Sequence, residues 1–530
     1  MIRVRQVKIE VISYSLEKLY DTTLKKLKIP KAKILDLKIV KQSIDARNKN
    51  MIFYVFEVDI KVDNEKEIVS SLNNPDIFIA PEENYKFIHD GTVPLKTRPI
   101  IIGSGPAGLF TAFILAENGY KPIIFERGKM VEDRIIDVQT FWDTGVLNPE
   151  SNVQFGEGGA GTFSDGKLNT LISDDNYRFH KVFNTFVKFG ANSDILYSYK
   201  PHIGTDILQV VVKNMREEII KMGGEFYFNS TLTNIIIDNN HINKIVINNK
   251  DEYLCDVLVL ALGHSSRDTF KMLYDAGLNM IPKSFAVGFR VIHSQSMIDE
   301  SQYGKKYQNI LHPATYKLTY RSTNNRGVYS FCMCPGGYVV NSSSETNHTV
   351  INGMSYHDRG SSTANSAIIV TVNPEDFGPS PMDAIEFQRE LERKTYELGK
   401  GYIPVTTLKD YLLNQSTTSL SNIDPNFKGK YKLTNLNGLL PKELEQAFKE
   451  SFASFGRKIK GFDNPETIIA AIESRTSSPI RMERTSEFES NIEGIYPCGE
   501  GAGYAGGITS SAIDGIKVAE AIGHKFYLSK

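Results

Sequence analysis

Residues 98–126 read RPIIIGSGPAGLFTAFILAENGYKPIIFE. The run at 98–102 is short and apolar, the pattern of a buried strand. It passes directly into Gly103-Ser104-Gly105-Pro106-Ala107-Gly108, and residues 109–120 then carry the spacing of an amphipathic helix. A second strand at 122–125 ends on Glu126. Each part has a mechanical reason. Gly103 permits the tight turn, Gly105 lets backbone approach a pyrophosphate, and Gly108 lets helix and strand pack closely. The first N–H groups of the helix, from Ala107 on, face the phosphates, and Pro106, which has none, opens the helix. Glu126 follows Gly103 by 23 residues, close to the separation expected of a carboxylate on ribose hydroxyls. Glycines alone are also read as a plain structural turn. The full order of strand, glycines, helix, strand and acid reads as a dinucleotide-binding unit, with Arg127 and Arg134 just beyond the acid included in the expected set.

Working outward, 530 residues exceed what one core supports, so several domains are expected. Residues 1–94 form a small basic α+β domain, with a strand at 4–13, a helix at 15–27 and a strand at 51–62. Residues 95–283 alternate strands and helices, which points to parallel pairing. Residues 284–470 read as a substrate or cap domain of short strands followed by helices at 381–398 and 441–455. Residues 471–530 return to strand-turn-helix chemistry. Apolar residues make up 41% and charged residues 23%, a globular balance, and the net charge of −1 argues against a protein dominated by polyanion binding. Residues 1–50 nevertheless hold 13 Lys/Arg against 5 Asp/Glu. The plain reading is a solvated basic face; the sharper one is a docking surface for RNA or an acidic partner.

The four cysteines, Cys255, Cys332, Cys334 and Cys498, show no C-x-x-C and no zinc spacing. No metal site is expected. The N-terminus lacks the apolar core of a signal peptide and no run of eighteen apolar residues occurs, which predicts no transmembrane helix and a cytoplasmic location.

Three further segments bear on which dinucleotide binds. Residues 256–263 (DVLVLALG) form a buried strand ending in a small-residue turn at Gly263. Residues 494–523 (GIYPCGEGAGYAGGITSSAIDGIKVAEAIG) place a strand, the turn at Gly499-Glu500, and a glycine pair, Gly506 and Gly507, before a helix opening near Ile508. This stretch resembles the C-terminal flavin motif of the glutathione-reductase superfamily, which implies an acid at the ribityl-phosphate region and a helix N-terminus near the pyrimidine edge of the ring. Its positive end favours negative charge there. Residues 154–168 (QFGEGGAGTFSDGKL) are dense enough in glycine to wrap a flat or phosphorylated ligand, through Gly158, Gly159, Ala160, Gly161, Thr162 and Asp165. A flexible loop is the plainer alternative.

With these segments in place, the chain resembles the bacterial FAD-dependent dehydrogenases that are named for their cofactor and lack an assigned substrate. The likeness covers nearly the whole chain: VKQSIDARNKN at 40–50, GSGPAGLF at 103–110, FGEGGAGTFSDGKL at 155–168, YSFCMCPGGYVVNSSSE at 329–345, NGMSYHDRGSSTANSA at 352–367, ESRTSSPIRM at 473–482 and YPCGEGAGYAGG at 496–507. It implies an α/β fold: a Rossmann-like, glutathione-reductase-type FAD domain built from separated segments, with an inserted α+β substrate domain and the small N-terminal domain. FAD is expected to be held non-covalently. A single G-x-G-x-x-G leaves NAD(P)H as a transient donor or another protein as the electron source.

Residues 473–479 precede the last flavin strand, so the chain is expected to cross the ring there, with Ser477 touching cofactor. Arg475 is of a type to orient an anionic substrate or stabilise reduced flavin, or equally to make a structural salt bridge. His264, after the 256–263 strand, and Lys167 complete the catalytic candidates; His357 and Arg359 are further candidates on the substrate side. The pair Cys332 and Cys334 invites a dithiol reading, against the commoner fate of buried cysteines as packing residues. The expected function is an FAD-dependent dehydrogenase or reductase passing hydride through flavin N5 to or from an unidentified small molecule. The alternatives are a flavin monooxygenase and an RNA-associated flavoprotein docked through residues 1–94.

Overall fold

The structure, a computed structural model, describes residues 1–29, 34–169, 172, 174, 176–420 and 424–528. Ile100–Ile102 is the middle strand of a five-stranded parallel sheet in the order Ile495–Pro497, Leu258–Leu260, Ile100–Ile102, Ile123–Phe125, Glu225–Tyr227. Its central strands are buried on both faces and wholly apolar, as parallel pairing under two helical layers demands. The chain leaves this sheet, builds a second unit, and returns through Ile495–Pro497 beside Leu258–Leu260. The glycine turns at Gly103 and Gly499 therefore stand at the carboxyl ends of strands in one sheet, where α/β sheets bind ligands.

The helix Pro106–Glu117 is buried from Ala107 to Ala116 instead of being amphipathic as its spacing suggested. The reason is a second helix, Ile508–Lys525, packed on its other side. Thr111 Oγ1 donates to the Gly515 carbonyl at 3.0 Å, and a Cβ on Gly515 would stand 2.3 Å from the Ala107 carbonyl oxygen. Residues 95–283 also hold an antiparallel meander, Leu232–Asp238, His241–Ile247 and Asp251–Leu254, that the strand-helix alternation did not announce. It turns at Asn239-Asn240, with φ of 49° and 63°, the left-handed pair that tight hairpins use.

The second unit is a seven-stranded sheet in the order Thr319–Arg321, Gly327–Cys334, Thr363–Val372, Phe285–Ser294, Ile468–Glu473, Ile403–Thr407, Tyr431–Leu433. Two strands expected to be short run ten residues each, Phe285–Ser294 and Thr363–Val372, and pair antiparallel along their whole length. The helices Pro381–Gly399 and Lys442–Lys458 bury Leu391, Phe448 and Phe455 in the same core as Phe289 and Ile368.

At the N-terminus, Ile2–Glu10, Leu16–Leu27, Ile34–Asp45, Phe53–Val62, Glu65–Leu72 and Ile77–Ile79 run β-α-β-β-α-β. Their antiparallel sheet has Ile2–Glu10 and Phe53–Val62 at its centre, the split-βαβ topology of ferredoxin-like domains. Part of its positive excess is paired within the unit. Arg3 grips Asp59 at 2.8 Å and Glu83 at 2.7 Å, Arg5 meets Glu57, Lys8 and Arg47 share Asp45, and Lys26 meets Asp76. Beyond it, Val93–Leu95 pairs in parallel with Phe526–Leu528. No helix among the described residues is long and apolar enough to cross a membrane.

Candidate functional site

One cavity of about 1130 Å³ runs from the glycine turn of the parallel sheet to the edge of the seven-stranded sheet. It exceeds the roughly 300–1,000 Å³ of single small-molecule pockets, as a chamber for a dinucleotide and a second reactant needs. At one end its wall is backbone. A Cβ on Gly103 would lie 2.3 Å from the Ala261 carbonyl, and one on Gly159 would lie 3.1 Å from the Gly105 Cα. Gly263 and Gly506 line the cavity with no protein atom within 4 Å of where a Cβ would stand. Two helix N-termini open on the same space, at Pro106 and at Ile508, and each favours negative charge. A backbone cradle with two such termini fits the two phosphates and the flat ring of FAD.

Of the residues expected around a cofactor, Gly103, Gly105, Pro106, Ala107, Glu126, Arg127, Gly159, Ala160, Gly161, Asp165, Gly263, Glu500, Gly506, Gly507 and Ile508 line this cavity. Gly108, Arg134, Gly158, Thr162, Ser477 and Gly499 are not on its wall. Their work lies behind it. A Cβ on Gly108 would lie 1.9 Å from the Gly103 carbonyl oxygen, so its lack of a side chain sets the helix–turn packing. The Arg134 guanidinium is wholly buried and donates to the carbonyls of Asn152, Val153, Gly156, Glu157 and Gly159, which pins the 152–159 loop. Burial lowers its pKa to about 10. Glu126 accepts from Ser104 N and Oγ at 2.8 Å through one oxygen, and from Gly128 N and Gly156 N at 3.0 and 2.9 Å through the other. The acid thus ties the first turn to the 152–159 loop.

All three catalytic candidates face the cavity. Arg475 reaches it heavily committed. It holds Glu392 through Nε and Nη2 at 2.9 and 2.7 Å, and donates from Nη1 to Ser265 and Ser344. Glu392 is fully buried and also takes two bonds from Arg267, at 2.9 and 2.7 Å, and one from Ser474. Burial opposes its charge, but the two guanidiniums outweigh that and hold its carboxyl well below the usual range. His264 is lowered to about 3 by burial, helped by Arg475 and Arg267, so its imidazole is neutral at physiological pH.

Lys167 differs from both. Its Nζ is buried, makes an ion pair with Asp165 at 3.4 Å, and has no hydrogen-bond partner. Burial works against its charge, but Asp165 and the thiols of Cys334 and Cys332 outweigh that and raise its pKa. Asp165 is in turn clamped by Arg359 at 3.1 and 2.7 Å. Arg359 lines the cavity, whereas His357 is off its wall and bonded to Asn192 and the Ile203 carbonyl. Glu500 is half-buried on the cavity wall, and desolvation pushes it up to about 7, partly opposed by Lys283.

Sequence reasoning missed a second buried assembly. Arg290 uses all five N–H groups: on Glu473 at 2.8 and 3.4 Å, Asn365 at 2.6 Å, Asn352 at 3.0 Å, and the Cys332 carbonyl at 3.2 Å. Burial drives Glu473 up to about 7 while its partner Arg290 is also driven up; the 2.8 Å bond decides for an ionised carboxylate. A signal was present, since Arg290 is the sole charged residue in FAVGFRVIHS and buried charges need partners.

Residues 284–476 match a family described as FAD-dependent protein, C-terminal domain-like, and residues 1–61 match a domain of unknown function. An uncharacterized protein of Clostridium beijerinckii is 48% identical over 512 residues, 96% of each chain. Among solved structures, an L-proline dehydrogenase from P. horikoshii is 12% identical over 81% of this chain and 94% of its own, with a TM-score of 0.36. The FrdA chain of an E. coli quinol fumarate reductase is 11% identical over 82% and 70%, with a TM-score of 0.35. Likenesses this slight bear on neither fold nor reaction.

Proposed function

The chain belongs to this family of FAD-dependent proteins and has FAD as its cofactor, and we propose that it is a dehydrogenase or reductase acting on an anionic small molecule held by Lys167. The observation that supports this reading is Lys167 Nζ, a buried cation on the cavity wall with no hydrogen bond. The arginines on the cavity wall are engaged: Arg475 with Glu392, Arg359 with Asp165, Arg127 with Glu150 and Asp268. A carboxylate or phosphate supplies the acceptors that Lys167 lacks.

Bound FAD supplies the redox chemistry, taking or giving a hydride at N5. The chain's residues do the rest. The glycine cradle at Gly103, Gly105 and Gly159 would hold the pyrophosphate, and Gly506, Gly507 and Ile508 would take the ring end. The N-terminus of Ile508–Lys525 favours the negative charge of the reduced state. Arg475, fixed by Glu392 and Ser265, is a positioning residue that holds the 473–479 crossing in place. His264 contributes a neutral hydrogen-bonding group, and Glu500 holds a proton up to about pH 7 that it can release to the cavity. NAD(P)H is the proposed transient donor, entering the same cavity.

The test is anaerobic mixing of the purified yellow protein with NADH, with NADPH, and with a panel of 2-hydroxy, 2-amino and dicarboxylic acids. Rapid bleaching by a nicotinamide, or by an acid with weaker saturation in Lys167→Met, is the expected result. Bleaching only by neutral compounds, equally in wild type and variant, rejects the reading.

A further inference from the structure

The strand Gly327–Cys334 does not keep its register to the end. Phe331 pairs with Ala367 and Cys334 with Asn365, so Cys332 and Met333 stand against the single residue Ser366. Two residues opposite one make a bulge, and bulges of this kind gather next to active sites. Cys332 takes φ of +43°, a left-handed conformation uncommon outside glycine, asparagine and aspartate. Such strain persists only where the surroundings enforce it. Here Arg290 Nη1 holds the Cys332 carbonyl, and the turn after Cys334 leaves no room to relax: a Cβ on Gly336 would meet the Arg359 carbonyl oxygen at 1.7 Å.

The bulge changes where the two thiols go. In a regular strand residues two apart stand about 6.6 Å apart, near the upper limit for bridging. Cys334 instead folds back, and its Sγ donates to the Cys332 carbonyl at 3.3 Å. Cys332 is on the cavity wall with Lys167, Glu473 and Glu500, while Cys334 is fully buried beneath it. Gly506, Gly507 and Ile508 line the same cavity.

We propose that Cys332 and Cys334 form a dithiol–disulfide couple that exchanges two electrons with the bound FAD. This rests on FAD as cofactor and is independent of the anionic substrate. In the oxidising direction the Cys332 thiolate and the Cys334 thiol lose one S–H bond and form one Sγ–Sγ bond. Both electrons and the Cys334 proton pass to the ring. The reverse step restores the thiolate and the thiol from reduced flavin and the disulfide. Cys332 is the attacking thiol. Hydrogen bonding with Cys334, reinforced by Lys167 and Arg290, holds it well below the ordinary thiol range, and the same contact raises Cys334. Cys255 and Cys498, buried and pushed up by burial, are internal controls that stay as thiols.

Two measurements on the holoprotein test this. Anaerobic dithionite titration of ferricyanide-oxidised wild type is expected to consume four electrons per FAD, two for the flavin and two for the disulfide. Cys332→Ser and Cys334→Ser are expected to consume two. The second measurement needs no variant. The tryptic peptide 327–359 holds both cysteines and neither of the others. After oxidation, acid quench and alkylation it is expected unalkylated and lighter by two hydrogens, and after dithionite it is expected alkylated twice. Two electrons per FAD in wild type, or a doubly alkylated peptide after ferricyanide, overturns the proposal.

Discussion

Replacing Glu500 by glutamine isolates one proton. The carboxyl is half-buried on the cavity wall and raised from an ordinary 4.5 to about 7, chiefly by desolvation. Between those two values the folded protein holds a proton that the unfolded chain has released. Stability therefore falls as pH rises from about 4.5 through 7 and levels off above it. At about 1.4 kcal/mol per tenfold change in proton affinity, this single group removes roughly 3 kcal/mol across the window. Glutamine keeps the shape and carries no titrating proton. Glu157, also raised to about 7 by burial, titrates alike in both proteins and cancels in the difference. Thermal unfolding of wild type and Glu500→Gln at fixed FAD concentration, from pH 5 to 8, is the assay. The variant is expected to gain on wild type by about 3 kcal/mol across that range. That is roughly 6–12 °C of Tm for a cooperative unit of about 150–250 residues. Parallel curves at every pH refute the half-buried, unpaired carboxyl.

Three further outcomes follow from the site. Lys167→Met is expected to weaken saturation by an anionic reactant about 10- to 150-fold, the worth of one charge-assisted hydrogen bond, with the flavin spectrum unchanged; the concentration dependence of anaerobic bleaching reads this. Glu392→Ala leaves Arg267 and Arg475 buried without their shared counter-ion and is expected to cost about 3–5 kcal/mol, read as a fall in Tm. Gly108→Val drives a side chain onto the Gly103 carbonyl, and the purified protein is expected to have lost its flavin absorbance relative to its protein absorbance.

The dinucleotide unit was legible because its signals are local. A strand, a glycine turn and a following helix occupy consecutive residues, and each glycine answers to a contact found in the structure: Gly103 with Ala261, Gly108 with Gly103. The helix Pro106–Glu117 was misread as amphipathic for the opposite reason. What covers its outer face is Ile508–Lys525, some 400 residues later in the chain, and no local period records that. Glu126 and Arg134 were legible beside the fingerprint, but their ties to the backbone of the 152–159 loop leave no side-chain signature in the sequence. The basic excess of residues 1–50 was legible as composition, yet while its partner Asp45 lies within that stretch, Glu57, Asp59, Asp76 and Glu83 lie beyond it.

Glu473, Ser474 and Arg475 show what a linear reading leaves out. Taken alone, Arg475 reads equally as a cation facing substrate or flavin and as one half of a salt bridge. In the fold, Glu473 is fixed by Arg290 on one side, while Ser474 and Arg475 are fixed by Glu392 on the other. Three consecutive residues thus join two buried charge networks, one reaching Cys332 through Arg290 and the other reaching Arg267. Buried ion pairs of this kind seldom add much stability over apolar packing, because desolvation offsets their attraction. Their use here is geometric: five donors on Arg290 and five bonds to Glu392 leave the crossing segment no other arrangement. A cysteine at φ +43° and a lysine without a hydrogen bond can be held on one cavity wall because the arginines around them are already spent on carboxylates and carbonyls.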